Sequence, residues 1–307
     1  MTMTNQKQPS FFIIGAPKCG TTAICRYLDK HPQVFIPPKK ELYYFDSDLR
    51  SQPKIESLDQ YLSFFAEGEG KVCGEGSTSY LRSKEAPKAI YDFNPNAKII
   101  VMLREPVSLL YSLHSQRLYD GNETILEFQK AIEVEKQRKS DALAGERCQE
   151  KFSHYLDVIK FSEQLERYFS IFGKDQVLVI LYKDFSENTS EVFQKILNFL
   201  EVQPDFEPEF VRVNSNKTVK SRFFLNLVKR PPAKLLEVGK YLIPLPQKTR
   251  RAILEGMKAR IKKMNTQVKP RTTLDPEYRK TLQKEFAPEV ERLSQLLEQD
   301  LSHWSKN

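Results

Sequence analysis

Cysteine is scarce in this chain: four in 307 residues, at Cys19, Cys25, Cys73 and Cys148. No two form a C-x-x-C pair and none stands at metal spacing from a histidine. That excludes a zinc ribbon and argues against a disulfide framework, leaving reduced thiols and a cytoplasmic setting as the expectation. Histidine is limited to His31, His114, His154 and His303. None has a triad-like context, and all four read as structural. No run of 18 apolar residues occurs, so no membrane-spanning helix is expected. Met1–Ser10 is polar and lacks the apolar core of a signal peptide; it is expected to be a flexible end. There is no internal repeat and no low-complexity tract.

Apolar residues make up 40% and charged residues 29% of the chain, the balance of an ordinary globular protein that buries a full core. The expectation is one domain over residues 11–307. Net charge is +8, unevenly spread. Between Arg212 and Lys263 fifteen Lys/Arg face two Asp/Glu, so the rest of the chain is net acidic. This basic region, within residues 211–264, points to an anionic partner. Apolar and basic residues alternate over Lys234–Lys263, and peripheral contact with an anionic or glycolipid surface is one reading; a solvated helix face is the other. Nucleic acid is not expected as a partner.

The chain is organised around Phe11-Phe-Ile-Ile-Gly15-Ala-Pro-Lys18-Cys19-Gly20-Thr21-Thr22. Four apolar residues run into a glycine-flanked loop, and an apolar-periodic helix follows through Ile24 and Leu28. That order reads as strand, phosphate loop, helix. Gly15 and Gly20 have P-loop spacing, so backbone N–H groups and a helix N-terminus can face an anion. Thr21 and Thr22 stand where a Walker loop has lysine then serine or threonine, and the lysine lies earlier, at Lys18. That suits the last phosphate of a shorter nucleotide. A plain Gly/Pro turn is the alternative.

Further along, His31–Asp46 is a loop with a short extended piece, and Leu58–Phe65 is expected to be helical. Lys71–Glu75 reads as a strand, Ala86–Phe93 as a helix stopped by Asn94-Pro95, and Lys98–Arg104 as a buried parallel strand. Pro106 opens the next helix in the favoured first-turn position. Helices are expected over Ile125–Lys139 and Phe152–Phe172, with a polar lid or acceptor-side loop between them at Ser140–Glu150. Gln176–Tyr182 is the last strong strand, and Ser186–Leu200 an amphipathic helix. Near the end the spacing from Leu282 to Leu301 is helical, and Pro288 is expected to start a second helix. Strands alternating with helices indicate an α/β, P-loop-like doubly wound parallel sheet flanked by helices, with a helical basic C-terminal region.

The loop Pro17–Thr22, Lys40-Glu-Leu-Tyr-Tyr-Phe-Asp46, Gly74-Glu-Gly-Ser-Thr-Ser-Tyr80, Arg104-Glu-Pro-Val with Ser112, and Asp300-Leu-Ser-His-Trp304 together resemble the sulfotransferases that use 3′-phosphoadenosine 5′-phosphosulfate (PAPS). The pattern is similar to bacterial single-domain enzymes and to catalytic domains of heparan sulfate sulfotransferases. The resemblance implies that Lys18, Cys19, Gly20, Thr21 and Thr22 form the 5′-phosphosulfate loop, with Lys18 easing charge on the bridging oxygen. It implies a 3′-phosphate site at Arg104 and Ser112, closure over the phosphates near Lys220 and Arg222, and Glu41 as the base that takes the acceptor proton. Residue chemistry agrees in part. Arginine at a strand's carboxyl end lies where open α/β sheets bind ligands and grips phosphate bidentately. The plainer readings are an ion pair of Arg104 with Glu105, an exposed helix serine at Ser112, and a salt bridge of Glu41 with Lys39 or Lys40. Tyr43 and Gly76 depart from the family pattern, in which relatives carry histidine and lysine.

The function implied is sulfuryl transfer from PAPS to a hydroxyl of a carbohydrate, glycolipid or small alcohol, with 3′,5′-adenosine bisphosphate (PAP) as product and no metal. Two alternatives stand beside it. A P-loop nucleotide kinase would need a Walker lysine and a magnesium carboxylate. A non-catalytic, nucleotide-gated protein would keep the loop and hold a polyanion on the basic region.

Overall fold

The computed structural model describes residues 7–49, 55–143, 154–211, 217–221, 256, 260, 264–269 and 271–305. They fall into two compact units, one drawn from 1–110, 154–213 and 275–307, the other from 111–153 and 214–274.

The first unit is built on a five-stranded sheet. In chain order its strands are β1 (Phe11–Gly15), β2 (Val34–Phe35), β3 (Val72–Gly76), β4 (Lys98–Leu103) and β5 (Val177–Leu181). They lie side by side in the order β2-β3-β1-β4-β5, every pair parallel. The central strands are apolar on both faces because helices cover both: Phe11 to Ile14 and Ile99 to Leu103 are wholly buried. This is the α/β, doubly wound parallel sheet that the alternation implied.

The order places the functional crevice. From β1 the chain winds outward to β2 and β3, then crosses back to lay β4 on the other side of β1. The connections leaving β1 and β4 therefore diverge, and the gap outside their carboxyl ends is the switch point where such sheets bind ligands. Ala16 N–H, one residue beyond β1, donates to the Met102 carbonyl on β4 at 2.6 Å and pins the loop there.

The helices of this unit are α1 (Thr21–Asp29), α2 (Leu58–Ser63), α3 (Ala86–Phe93) and the start of α4 (Pro106–Asp120). The second unit takes α4 from Tyr111 on and α5 (Phe128–Leu143). Back in the first are α6 (Tyr155–Val158), α7 (Phe161–Phe172), α8 (Tyr182–Glu187) and α9 (Thr189–Leu200). Pro106 does open α4, and Glu105 caps it: its carboxylate accepts from Val107 N–H (3.2 Å) and Ser108 N–H (2.8 Å). α5 begins three residues later than its apolar spacing suggests, because Glu123 accepts from Thr124 and Ile125 N–H and holds them in a turn. Asn188 separates α8 from α9, so the stretch after β5 is two helices rather than one.

The helix expected over Phe152–Phe172 is likewise two, α6 and α7, and the expectation for the C-terminal helix is overturned. Pro288 does not start a helix; it lies inside α10, which runs unbroken from Pro276 to Leu297. An interior proline costs a hydrogen bond and crowds the preceding turn, about 3 kcal/mol. Here Leu282, Phe286, Val290 and Leu293 bury one face of the helix on both sides of it. The next residue, Glu289, accepts from Ser162 N–H (2.7 Å) and Oγ–H (2.9 Å), capping α7 from a neighbouring helix. Burial and a shared cap outweigh the lost bond.

In the second unit β6 (Lys217–Val219) pairs antiparallel with β7 (Thr266–Val268). Tyr119 of α4 bonds Thr266 at 3.0 Å, and His114 bonds the Ile125 carbonyl at 2.9 Å. No helix of the described residues is long and apolar enough to cross a membrane. The expected lid at 140–150 lies outside them from residue 144, and the basic stretch is described only at 211, 217–221, 256, 260 and 264.

Candidate active site

The loop after β1 owes its curvature to two residues with positive φ, Lys18 (65°) and Gly20 (91°). Gly20 is needed on two counts. Its conformation is left-handed, and a Cβ there would stand 3.0 Å from the Phe185 ring. The chain then enters α1 with Gly20 at its N-cap and no side chain capping the first turn, which leaves the positive end of the helix dipole facing the switch point. Cys19 is fully buried, and burial pushes its thiol up to about 12. It is a small residue that packs, with no reactive thiolate.

Arg104, just past β4, reaches this loop. Its guanidinium donates to the Lys18 carbonyl at 3.2 Å and lies over the Tyr182 ring, 4.6 Å from the centroid. The plainer reading, a pair with Glu105, is not realised, because Glu105 accepts from Arg279 at 2.7 Å.

Glu41 comes to the same place from the segment after β2. Thr78 Oγ–H donates to its Oε1 at 2.9 Å, and Lys40 Nζ stands 3.7 Å from that oxygen. Lys40 also donates to Thr21 Oγ1 at 3.3 Å, so one ammonium joins the carboxylate to the first residue of α1. A contact between Glu41 and Lys40 is therefore present, while Lys39 lies over the Phe64 ring. Gly76 explains how Lys40 gets there. A Cβ at position 76 would stand 2.7 Å from Lys40 Cε and 2.6 Å from Cys25 Sγ, so only glycine leaves room for the lysine stem.

Below this lies a polar cluster whose burial no local pattern in the sequence marks. Glu75 of β3 is 2% exposed and accepts from Tyr61 Oη–H, Ser77 Oγ–H and Tyr80 Oη–H at 2.5, 2.5 and 2.8 Å. Burial raises its carboxyl to about 7, against the lowering effect of those three donors.

The remaining sites belong to the second unit. Ser112 is buried at 2% exposure, not on an open helix face, and accepts from Arg271 at 3.2 Å. Arg271 also lies over the Tyr111 ring. It was not singled out in the sequence, where 159 residues separate it from Ser112. Lys220 is exposed, with its N–H on the Asn265 carbonyl at 2.8 Å. Arg222 lies outside the described residues. Lys18 to Thr22, Arg104 and Glu41 are thus brought together. Among the described residues no group of three His, Cys, Asp or Glu side chains is arranged to hold a metal.

Comparison with known proteins gives consistent results. A family model described as "Sulfotransferase domain" matches residues 8–294. The membrane-associated sulfotransferase kil1 of Dictyostelium discoideum is 24% identical, over 74% of this chain and 64% of its own length. Human carbohydrate sulfotransferase 15 is 26% identical, over 64% of this chain and 44% of its own. Human bifunctional heparan sulfate N-deacetylase/N-sulfotransferase 3 is 27% identical, over 66% and 23%. The chain spans less than two thirds of the length of each. A sulfotransferase from Alicyclobacillus acidocaldarius, solved as a crystal structure, superposes with a TM-score of 0.71 at 26% identity, over 98% of this chain and 100% of that one.

Proposed function

This chain belongs to the sulfotransferase domain family, and from that premise we propose that it transfers a sulfuryl group from PAPS to a hydroxyl of a carbohydrate or glycolipid. The observation that carries the reading is the junction at the switch point. An anion-binding loop and Arg104 meet there, and Lys40 links the loop helix to a carboxylate.

In this reading PAPS supplies an activated sulfur whose leaving group is a phosphate. The loop from Lys18 to Thr22 holds the 5′-phosphosulfate with backbone N–H groups and the α1 dipole. Arg104 takes the 3′-phosphate. Ser112, Lys220 and Arg222 are proposed for the same donor. The acceptor oxygen bonds to sulfur as the bond from sulfur to the phosphate oxygen breaks. Glu41 takes the hydroxyl proton, and Lys18 balances the charge that gathers on the departing oxygen. The residues fit that demand: a cation and helix dipole on the donor side, a carboxylate acceptor within one lysine's reach.

The relatives named for carbohydrate and heparan sulfate substrates favour a sugar acceptor. The segment Lys234–Lys263 of the basic region is proposed to rest on an anionic or glycolipid surface, in keeping with a relative named as membrane-associated. The test is transfer of labelled sulfate from PAPS to desulfated heparan and chondroitin chains, to a galactolipid and to small alcohols. Label in a sugar-bearing product is expected. Label in none of them, with PAPS left intact, would contradict the proposal.

A further inference from the structure

Glu41 stands on a segment that has no regular structure of its own between residues 36 and 46. Its backbone is nonetheless tied down. Tyr43 N–H donates to Ser77 Oγ at 3.1 Å; Tyr44 and Phe45 N–H both donate to Tyr80 Oη, at 2.8 and 3.3 Å. Each of those hydroxyls has one proton and gives it to Glu75 Oε1. The carboxylate therefore fixes which way the hydroxyls point, and turns their lone pairs toward three successive backbone amides. Tyr43 has φ of 58°, a conformation bulky residues keep only where their surroundings enforce it.

We propose that Glu75 is a positioning residue for transfer: through Tyr80 and Ser77 it fixes the backbone at Tyr43–Phe45 and so aims the Glu41 carboxylate. The proposal rests on the reading of Glu41 as base. It explains why a carboxylate is kept in the core among Tyr61, Tyr80 and Ser77, with buried Asp46 nearby. An isolated ion there would be costly, whereas three donors and a structural task make it worth keeping.

Tyr61 supplies the control. Its hydroxyl also donates to Glu75, but to Oε2, and it holds no backbone amide of the Tyr43–Phe45 turn. Tyr80→Phe and Tyr61→Phe thus each remove one hydroxyl from the same buried carboxylate and keep the ring. A merely structural cluster would respond alike to both. With the positioning role, Tyr80→Phe lowers kcat about tenfold or more, leaves PAP affinity within about twofold, and speeds amide exchange over residues 43–45. Tyr61→Phe does none of these. Ser77→Ala, a smaller excision, frees the Tyr43 amide alone and serves if Tyr80→Phe fails to fold. Equal effects of the two tyrosine variants, or unchanged exchange at 43–45 in both Tyr80→Phe and Ser77→Ala, would overturn the proposal. Exchange does not depend on turnover. Full activity in Glu41→Gln would therefore remove the base assignment and with it the aim, while the exchange result would still decide whether Glu75 anchors the turn.

Discussion

At the scale of single residues, the proposed roles separate donor binding from proton removal. Arg104 spends one of its five donors on the Lys18 carbonyl and lies over the Tyr182 ring, two contacts that hold the guanidinium at the crevice. Arg104→Ala is expected to weaken PAP binding about 10- to 100-fold in a calorimetric titration, the cost of charge-assisted hydrogen bonds lost to a phosphate. Glu41→Gln is expected to do the reverse: turnover falls by about 10²- to 10⁴-fold while PAP binds as before. Equal loss of both in either variant would mean the roles are misassigned. Glycine at 76 allows a third test. Gly76→Ala keeps the backbone but puts a methyl against the Lys40 stem and Cys25. Lys40 then leaves Thr21 and Glu41, and kcat should drop with the fold intact by circular dichroism.

The elements show what a sequence reveals and what it hides. The loop at Pro17–Thr22 and Arg104 were legible because their placement is local. An apolar strand, a glycine with positive φ and a residue at a strand end say where they will lie. Glu75 ends a stretch that reads as a strand, yet its burial was hidden. Its three partners come from α2 and from the turn after β3, and only folding brings them together. Arg271 was hidden by its distance along the chain from Ser112. Pro288 misled for the opposite reason. Its local preference is real, but α10 is held by tertiary packing, which local preference does not report. Glu289 makes this measurable. Replacing it with alanine removes the acceptor for both Ser162 groups at the start of α7, and stability should fall by about 1–2 kcal/mol in urea titration. No change in midpoint would mean that the shared cap contributes nothing.

For the whole molecule, stability should carry the mark of Glu75. Its carboxyl sits at about 7 when folded, above its ordinary value of 4.5. Between those values the unfolded group has lost its proton while the folded one still holds it. Stability from this group is therefore complete below about pH 4.5 and declines as pH rises through 7. Against that decline, Glu75→Gln, which keeps an acceptor oxygen for Ser77 and Tyr80, should flatten the change in melting temperature between pH 5 and 8. The central claim, that the switch point is built for a nucleotide with a 3′-phosphate and a single phosphate at the 5′ end, is tested most directly by calorimetric titration with PAP, ADP and ATP, with and without magnesium. Tight binding of PAP over ADP, indifferent to magnesium, is the predicted result. Preference for ATP with magnesium would contradict the assignment of Lys18 and Arg104 to the donor.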